Sequence, residues 1–434
     1  MMNIVKFPER KEWEKYCKRP SIDLTSMDEI VQEIFDAVFK KGDQAVRQYG
    51  EKFSEYSGAE LKVTESEIND AENSLTEELK TAIQIAYDNI FKFHSAQKTT
   101  TLQLETMEGI MCSRKSVPIN SVGLYIPGGT APLFSTVLML GIPAQIAGCK
   151  NVQLCTPTSM EGVVHPAILH AANLCGIKNI FKTGGIQAIA AMTLGTDTIK
   201  KSDKLFGPGN QYVAAAKQKA LEYGVAADLP AGPSEVLIIA DETADANFVA
   251  ADLLAQAEHG KDSQVILLTN TESLIPKVLM AIEQQLTALP RREICMAALK
   301  NSHAILLKDL VTCMEFSNLY ATEHLILNTG ADDELAEQVI NAGSVFIGKY
   351  TAESMGDYAS GTNHTLPTNG FANSFSGVSL SSFQKQITFQ KASERGLLNI
   401  GKHVEEMAAA EGLDAHKQAI TIRLKSLKKE LKND

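Results

Sequence analysis

The chain has 434 residues, 44% apolar and 21% charged, which is enough to bury large cores and points to two or three domains rather than one. Its 41 basic and 52 acidic residues leave a net charge of −11, so no broad positive surface is available for nucleic acid or an anionic membrane. Seven scattered cysteines (Cys17, Cys112, Cys149, Cys155, Cys175, Cys295 and Cys313), none in a C-x-x-C spacing, argue against a disulfide framework and against a cysteine-built metal site.

The first segment, MMNIVKFPERKEWEKYCKRP, lacks the apolar core of a signal peptide, and no apolar run has the length that crosses a bilayer; a cytoplasmic protein is expected. Residues 1–24 read as an N-terminal extension. Over 25–98 the positions Ile30, Ile34 and Val38, then Ile83, Ala86 and Ile90, recur at helical spacing between Lys and Glu. From about residue 116 short apolar runs end in Gly or Pro and lead into helices, as in SVGLYIP, NVQLCTP, NIFKTGG and KLFGPG. A second set begins at EVLIIAD (235–241) and continues through QVILLT, HAILLK, HLILNT and SVFIGK. This alternation predicts an α/β protein with two Rossmann-like parallel-sheet domains and helical N- and C-terminal extensions. The first α/β domain takes 25–120 and 235–380, the second takes 121–234, and 381–434 forms a helical arm with Ile420, Leu424, Leu427 and Leu431 on one stripe.

Two motifs mislead. GSVFIGKYT (343–351) has phosphate-loop spacing, but Tyr350 replaces the hydroxyl residue and Val-Phe-Ile reads as strand. GPGNQY (207–212) has two glycines of a dinucleotide fingerprint without the third.

Four constellations carry chemistry. In AADLLAQAEHG (250–260), Gln256 and His259 lie three apart near the end of an amphipathic helix closed by Gly260, where both could reach one ion; a capping histidine beside a solvated glutamine is the plainer reading. Glu323 and His324 stand immediately before an apolar strand, as an acid and an imidazole able to share proton transfers. The polar stretch ESMGDYASGTNHTLP (353–367) carries Asp357 and His364 and reads as a long loop. In AAAEGLDAHKQ (408–418), His416 heads the stripe through Ile420 and Leu424, and there a core histidine is the ordinary alternative to a ligand. Gln256, His259, Asp357 and His416 together make a plausible nitrogen and oxygen zinc site.

The run DLPAGPSEVLIIADETADANFVAADLLAQAEHGKDSQVILL (228–267) resembles the signature region of the histidinol dehydrogenases, as do GGIQAIAAMTLGT, FGPGNQYV, EHLIL, GDYASGTNHTLPT and AEGLDAHK in the same order. The resemblance implies oxidation of L-histidinol through the aldehyde to L-histidine with NAD, the last steps of histidine biosynthesis, by a homodimer with shared active sites and one Zn2+ per subunit. It implies zinc bound by Gln256, His259, Asp357 and His416, and proton transfers by Glu323 and His324. It further implies substrate contacts from Ser234, Gln256, His259, His324, Asp357, His364, Glu411 and His416, and NAD contacts from Tyr125, Gln187 and Asn210, which makes 121–234 the NAD-binding domain. Thr322, where a proline often precedes the Glu-His pair, and Ile186 depart from the pattern. A rival reading is a cysteine-using aldehyde dehydrogenase, which would need an activated thiol.

Overall fold

Each of the apolar runs named above is a strand of a parallel sheet. The computed structural model describes residues 2–20, 25–54, 60–128, 131–230 and 232–430; Leu431 of the terminal stripe lies outside them. Two compact units divide the chain, Met1–Gln97 with Ile119–Phe383, and Lys98–Pro118 with Gln384–Asp434.

The first unit holds two parallel sheets. One runs in the order Asn3–Lys6, His303–Leu306, Gln264–Thr269, Glu235–Ala240, Thr322–Asn328, Ala342–Ile347. Its three central strands are buried at every position, which is why their sequences are continuously apolar rather than alternating. The other runs Asn179–Lys182, Asn151–Thr156, Ser121–Tyr125, Lys204–Phe206, Ala226–Ala227. GSVFIGKYT is strand Ala342–Ile347 as expected, and Gly343 has a packing reason: a Cβ there would lie 2.5 Å from the main-chain oxygen of Glu323. Gly207 of GPGNQY is likewise required, with φ +129 and a hypothetical Cβ 2.0 Å from the Tyr125 carbonyl oxygen.

The helices Thr25–Lys41, Asp43–Ser54, Glu65–Ser74 and Glu77–Ser95 cover the other sheet from the one to which the sequence reading assigned them. Ile34 and Val38 share a core with Tyr125, Phe181 and Leu205, and Ile83 and Ile90 share one with Val122, Leu124 and Leu154. Helical spacing shows which face is buried and not against which sheet it is buried, hence the difference. The N-terminal segment is no loose extension either: Asn3–Lys6 forms the sheet edge beside His303–Leu306, and Trp13 packs on Phe316 at 5.3 Å.

The second unit is a three-stranded antiparallel sheet, Gln384–Ala392, Ile110–Pro118 and Leu102–Met107, with the helices Glu394–Ala410 and Asp414–Glu430. The strand Gln384–Ala392 lies in a region read as helical; its exposed QKQITFQKA carries little apolar pattern to betray it. The two helices pack through Leu424, which a Cβ on Gly401 would meet at 3.0 Å. Among the described residues no helix is long and apolar enough to cross a membrane.

Candidate active site

Glu323 and His324 are not loop residues ahead of a strand, as the sequence suggested; they are the second and third residues of strand Thr322–Asn328, and both are buried. The neighbouring strand holds them through its first residue. The main-chain N–H of Glu235 donates to Oε2 of Glu323 at 2.9 Å, and the Glu235 carbonyl lies 3.3 Å from Nδ1 of His324. Thr322 puts its hydroxyl to use here, donating to the His324 carbonyl at 3.0 Å.

Three carboxylates surround the His324 ring. Nδ1 is 3.6 Å from Glu323 and 3.9 Å from Glu353, and Nε2 is 3.5 Å from Asp357. Glu353 and Asp357 are four residues apart on the helix Glu353–Tyr358, so the stretch read as a loop begins with a helical turn that sets both on one side. Sequence reasoning missed Glu353; its spacing to Asp357 was the available signal. The Gln256 amide, placed with its nitrogen toward Glu353, donates to that carboxylate and accepts from the Glu235 N–H at 2.9 Å.

Burial sets the electrostatics. It pushes the Glu323 carboxyl up to about 8 and lifts Glu353 well above the carboxylate range. For His324 burial alone would lower the pKa, but the charges of Glu353, Glu323 and Asp357 raise it well above the usual imidazole value. Asp357 goes the other way: burial would raise it, and the nearby His324 ring with the imidazoles of His364 and His259 holds it below normal.

His259 lies just past the helix Ala246–Ala257, in its C-terminal turn, and is exposed where Gln256 is buried. With Ser234 and Asn210 it lines a cleft of about 520 Å3 between the two sheets' halves of the first unit, which Arg19, Pro127 and Asn369 also border. His364 Nδ1 is 2.7 Å from the Asp357 carbonyl, and its Nε2 is 3.0 Å from the Thr136 hydroxyl. Tyr125 and Gln187 are buried at the carboxyl end of the five-stranded sheet; the Tyr125 hydroxyl accepts from the Gly185 N–H at 3.1 Å, and Oε1 of Gln187 has no hydrogen-bond partner. Asn210 caps the helix Gln211–Ala220 through Tyr212 and Val213. The chain thus gathers Gln256, Asp357, Glu323, His324 and His364 at one centre. Glu411 and His416 belong to the second unit and are exposed there, so His416 is not the buried core residue that its stripe allowed; Leu424 and Leu427 are buried and Ile420 is half-buried.

Carboxylate, imidazole and amide donors of this kind suit a divalent cation. Ligand atoms of His324, Glu353 and Asp357 lie within 4.8 Å of one another, and Glu353 Oε2 is buried without a hydrogen-bond partner. An activated thiol finds no support, since burial pushes Cys17 and Cys149 up to about 11, away from thiolate.

The family model for histidinol dehydrogenase matches residues 17–424. A histidinol dehydrogenase of Bacteroides thetaiotaomicron is 54% identical over 99% of this chain and 100% of its own length, and that of Escherichia coli K12 is 49% identical over 95% of each. The crystal structure of histidinol dehydrogenase from Elizabethkingia anophelis superposes with a TM-score of 0.97 at 55% identity, covering 98% of this chain and 99% of that one. With likeness of sequence and fold running the length of the chain, and an acid and an imidazole buried side by side at its centre, the chain belongs to the histidinol dehydrogenase family of oxidoreductases.

Proposed function

We propose that this chain oxidises L-histidinol to L-histidine in two successive dehydrogenations, using NAD and one zinc ion per subunit. The observation that carries the reading is the burial of Glu323 against His324, with Gln256, Glu353 and Asp357 around them. Gln256, His259, Asp357 and His416 would hold the zinc. When bound, zinc would supply a positive centre that orients the substrate's nitrogens, and NAD would accept the hydride.

With the positive charge of zinc at Asp357 offsetting the carboxylates that keep a proton on His324, the neutral imidazole takes the hydroxyl proton of the alcohol in the first oxidation as hydride leaves its carbon. Glu323, as carboxylate, then takes a proton from a water that adds to the aldehyde carbon, while His324 gives its proton to the aldehyde oxygen, so that a hydrate forms and the imidazole is again free to accept. Loss of a second hydride from that carbon, with its hydroxyl proton passing to His324, yields the acid. The Glu235 N–H fixes one oxygen of Glu323, leaving the other for water. Ser234 and His364 would contact the substrate, while Tyr125, Gln187 and Asn210 would serve NAD at the carboxyl end of the five-stranded sheet, where dinucleotides bind in such folds.

A homodimer completes the reading. His416 and Glu411 are exposed in the second unit, whose strand Leu102–Met107 also exposes Leu102, Leu104 and Met107, surface that a second copy would cover. Incubation with L-histidinol and NAD, followed by absorbance and product analysis, tests the proposal. Two NADH per histidine are expected; no NADH, or one with histidinal as the end product, would overturn it.

A further inference from the structure

The helix Phe134–Ala147 carries Pro143 in its interior, and the backbone acceptor this frees is used by the loop that bears His364. Proline has no N–H, so the carbonyl of Met139, four residues earlier, receives no helical hydrogen bond from it. That carbonyl accepts from Nδ2 of Asn363 at 2.6 Å instead. Oδ1 of Asn363 accepts from the Thr365 N–H at 3.0 Å, and the whole amide is buried beside His94. The next residue is His364.

Its Nδ1 faces the main-chain oxygen of Asp357, an atom that can only accept, so Nδ1 carries the proton. In the neutral ring Nε2 then offers the lone pair, and the hydroxyl of Thr136 donates to it. Thr136 is 1% exposed and lies one turn before Met139 on the same helix. One helix thus grips two consecutive residues, the first through a carbonyl that Pro143 leaves open and the second through a hydroxyl.

We propose that Thr136 is a positioning residue for substrate binding, fixing the ring plane and tautomer of His364 while the Met139 carbonyl fixes the backbone beside it. The proposal rests on the reading of His364 as a substrate contact. A ring held at both nitrogens has no rotation left to lose when substrate arrives, so the advantage falls on affinity. His364 takes no part in the proton transfers, so turnover is spared.

Thr136→Val exchanges the hydroxyl for a methyl group of similar size. It should raise KM for L-histidinol about tenfold with kcat within about twofold, and Thr136→Ser should restore the wild-type KM. In protein labelled with 15N-histidine, the His364 ring signal, identified by its loss in His364→Asn, should move toward a mixture of tautomers in Thr136→Val. A merely structural threonine would lower the melting temperature and leave both KM and the ring signal alone. If Thr136→Val does not fold, Thr136→Ala carries the same expectations. His364→Asn is assayed in parallel. If it raises KM while Thr136→Val keeps the wild-type value, the positioning role is overturned and the substrate contact stands. If His364→Asn itself keeps the wild-type KM, both fall.

Discussion

Glu235 holds Glu323 by its main chain, not its side chain: its N–H donates to Oε2 of Glu323 at 2.9 Å, while its own carboxylate turns away to Arg19. One oxygen of Glu323 is thereby fixed. The division of labour that follows is testable, since only the aldehyde step needs an activated water. Glu323→Gln should slow oxidation of histidinal by about 10²- to 10⁴-fold and oxidation of histidinol to the aldehyde far less. His324→Asn should damage the first step. Equal losses in both half-reactions for Glu323→Gln, each measured with its own substrate, would refute the assignment.

The pKa of Glu323 adds a pH dependence. Burial pushes it up to about 8, and a base must be ionised, so oxidation of histidinal should accelerate as pH rises through about 8. Stability moves the other way. Because the folded carboxyl keeps its proton to about 8 and the ordinary value is 4.5, its contribution is full below 4.5 and is lost as pH rises through about 8. An aldehyde rate that stays flat across that window would show Glu323 ionised throughout.

Among the described residues Arg19 makes one of the few buried ion pairs. Its side chain is 10% exposed against 1% for Glu235, and its guanidinium stacks 3.6 Å from the Tyr320 ring centroid. Arg19→Ala leaves the buried Glu235 carboxylate without its cation, held by the Asn369 N–H, and should cost about 3 kcal/mol in urea unfolding. Adding Glu235→Gln should recover part of that loss, because a neutral amide is cheaper to bury than an unpaired charge. No recovery in the double variant would mean that Arg19 acts through the Tyr320 stack instead.

Much of this was legible in the sequence, and the failures have physical causes. Each central strand announced itself by a continuous apolar run, because both of its faces are buried. The helices over 25–95 did not reveal their sheet, since a stripe such as Ile83, Ala86 and Ile90 fits any apolar surface. Polar strands such as Gln384–Ala392 have no core face to leave a pattern. At the site, Glu323 and His324 stood out as a dipeptide, but the contributions of Glu235 and Met139 are made by main-chain atoms, which no side-chain motif encodes. Arg19 and Glu235 are joined across 216 positions, beyond any local spacing rule.

Metal removal should separate activity from folding. The helices and strands that carry Gln256, Asp357 and Glu323 rest on Leu253, Val236 and Ile326, all fully or almost fully buried. Such a core does not need an ion to form. Dialysis against a chelator should therefore abolish histidinol oxidation while the circular dichroism spectrum persists, and added zinc should restore the rate. Full turnover by protein shown to be metal-free would end the zinc assignment.

His416 decides the assembly. It is exposed at the start of the helix Asp414–Glu430, beside a stripe that buries Leu424 and Leu427, and the reading gives it to the metal centre of a neighbouring subunit. Glu323→Gln and His416→Asn should each form almost no histidine alone, and histidine formation is the rate compared. Co-expressed with different tags, they form mixed dimers in which one site inherits both defects. The other site takes a sound Glu323 from one chain and a sound His416 from its partner, so the purified mixed dimer should recover about half of the wild-type rate, one working site of two. Recovery requires exchange, because a His416 serving its own chain would leave one defect in every site. Mixed dimers no more active than either parent would place His416 in its own subunit's site or outside the active site altogether.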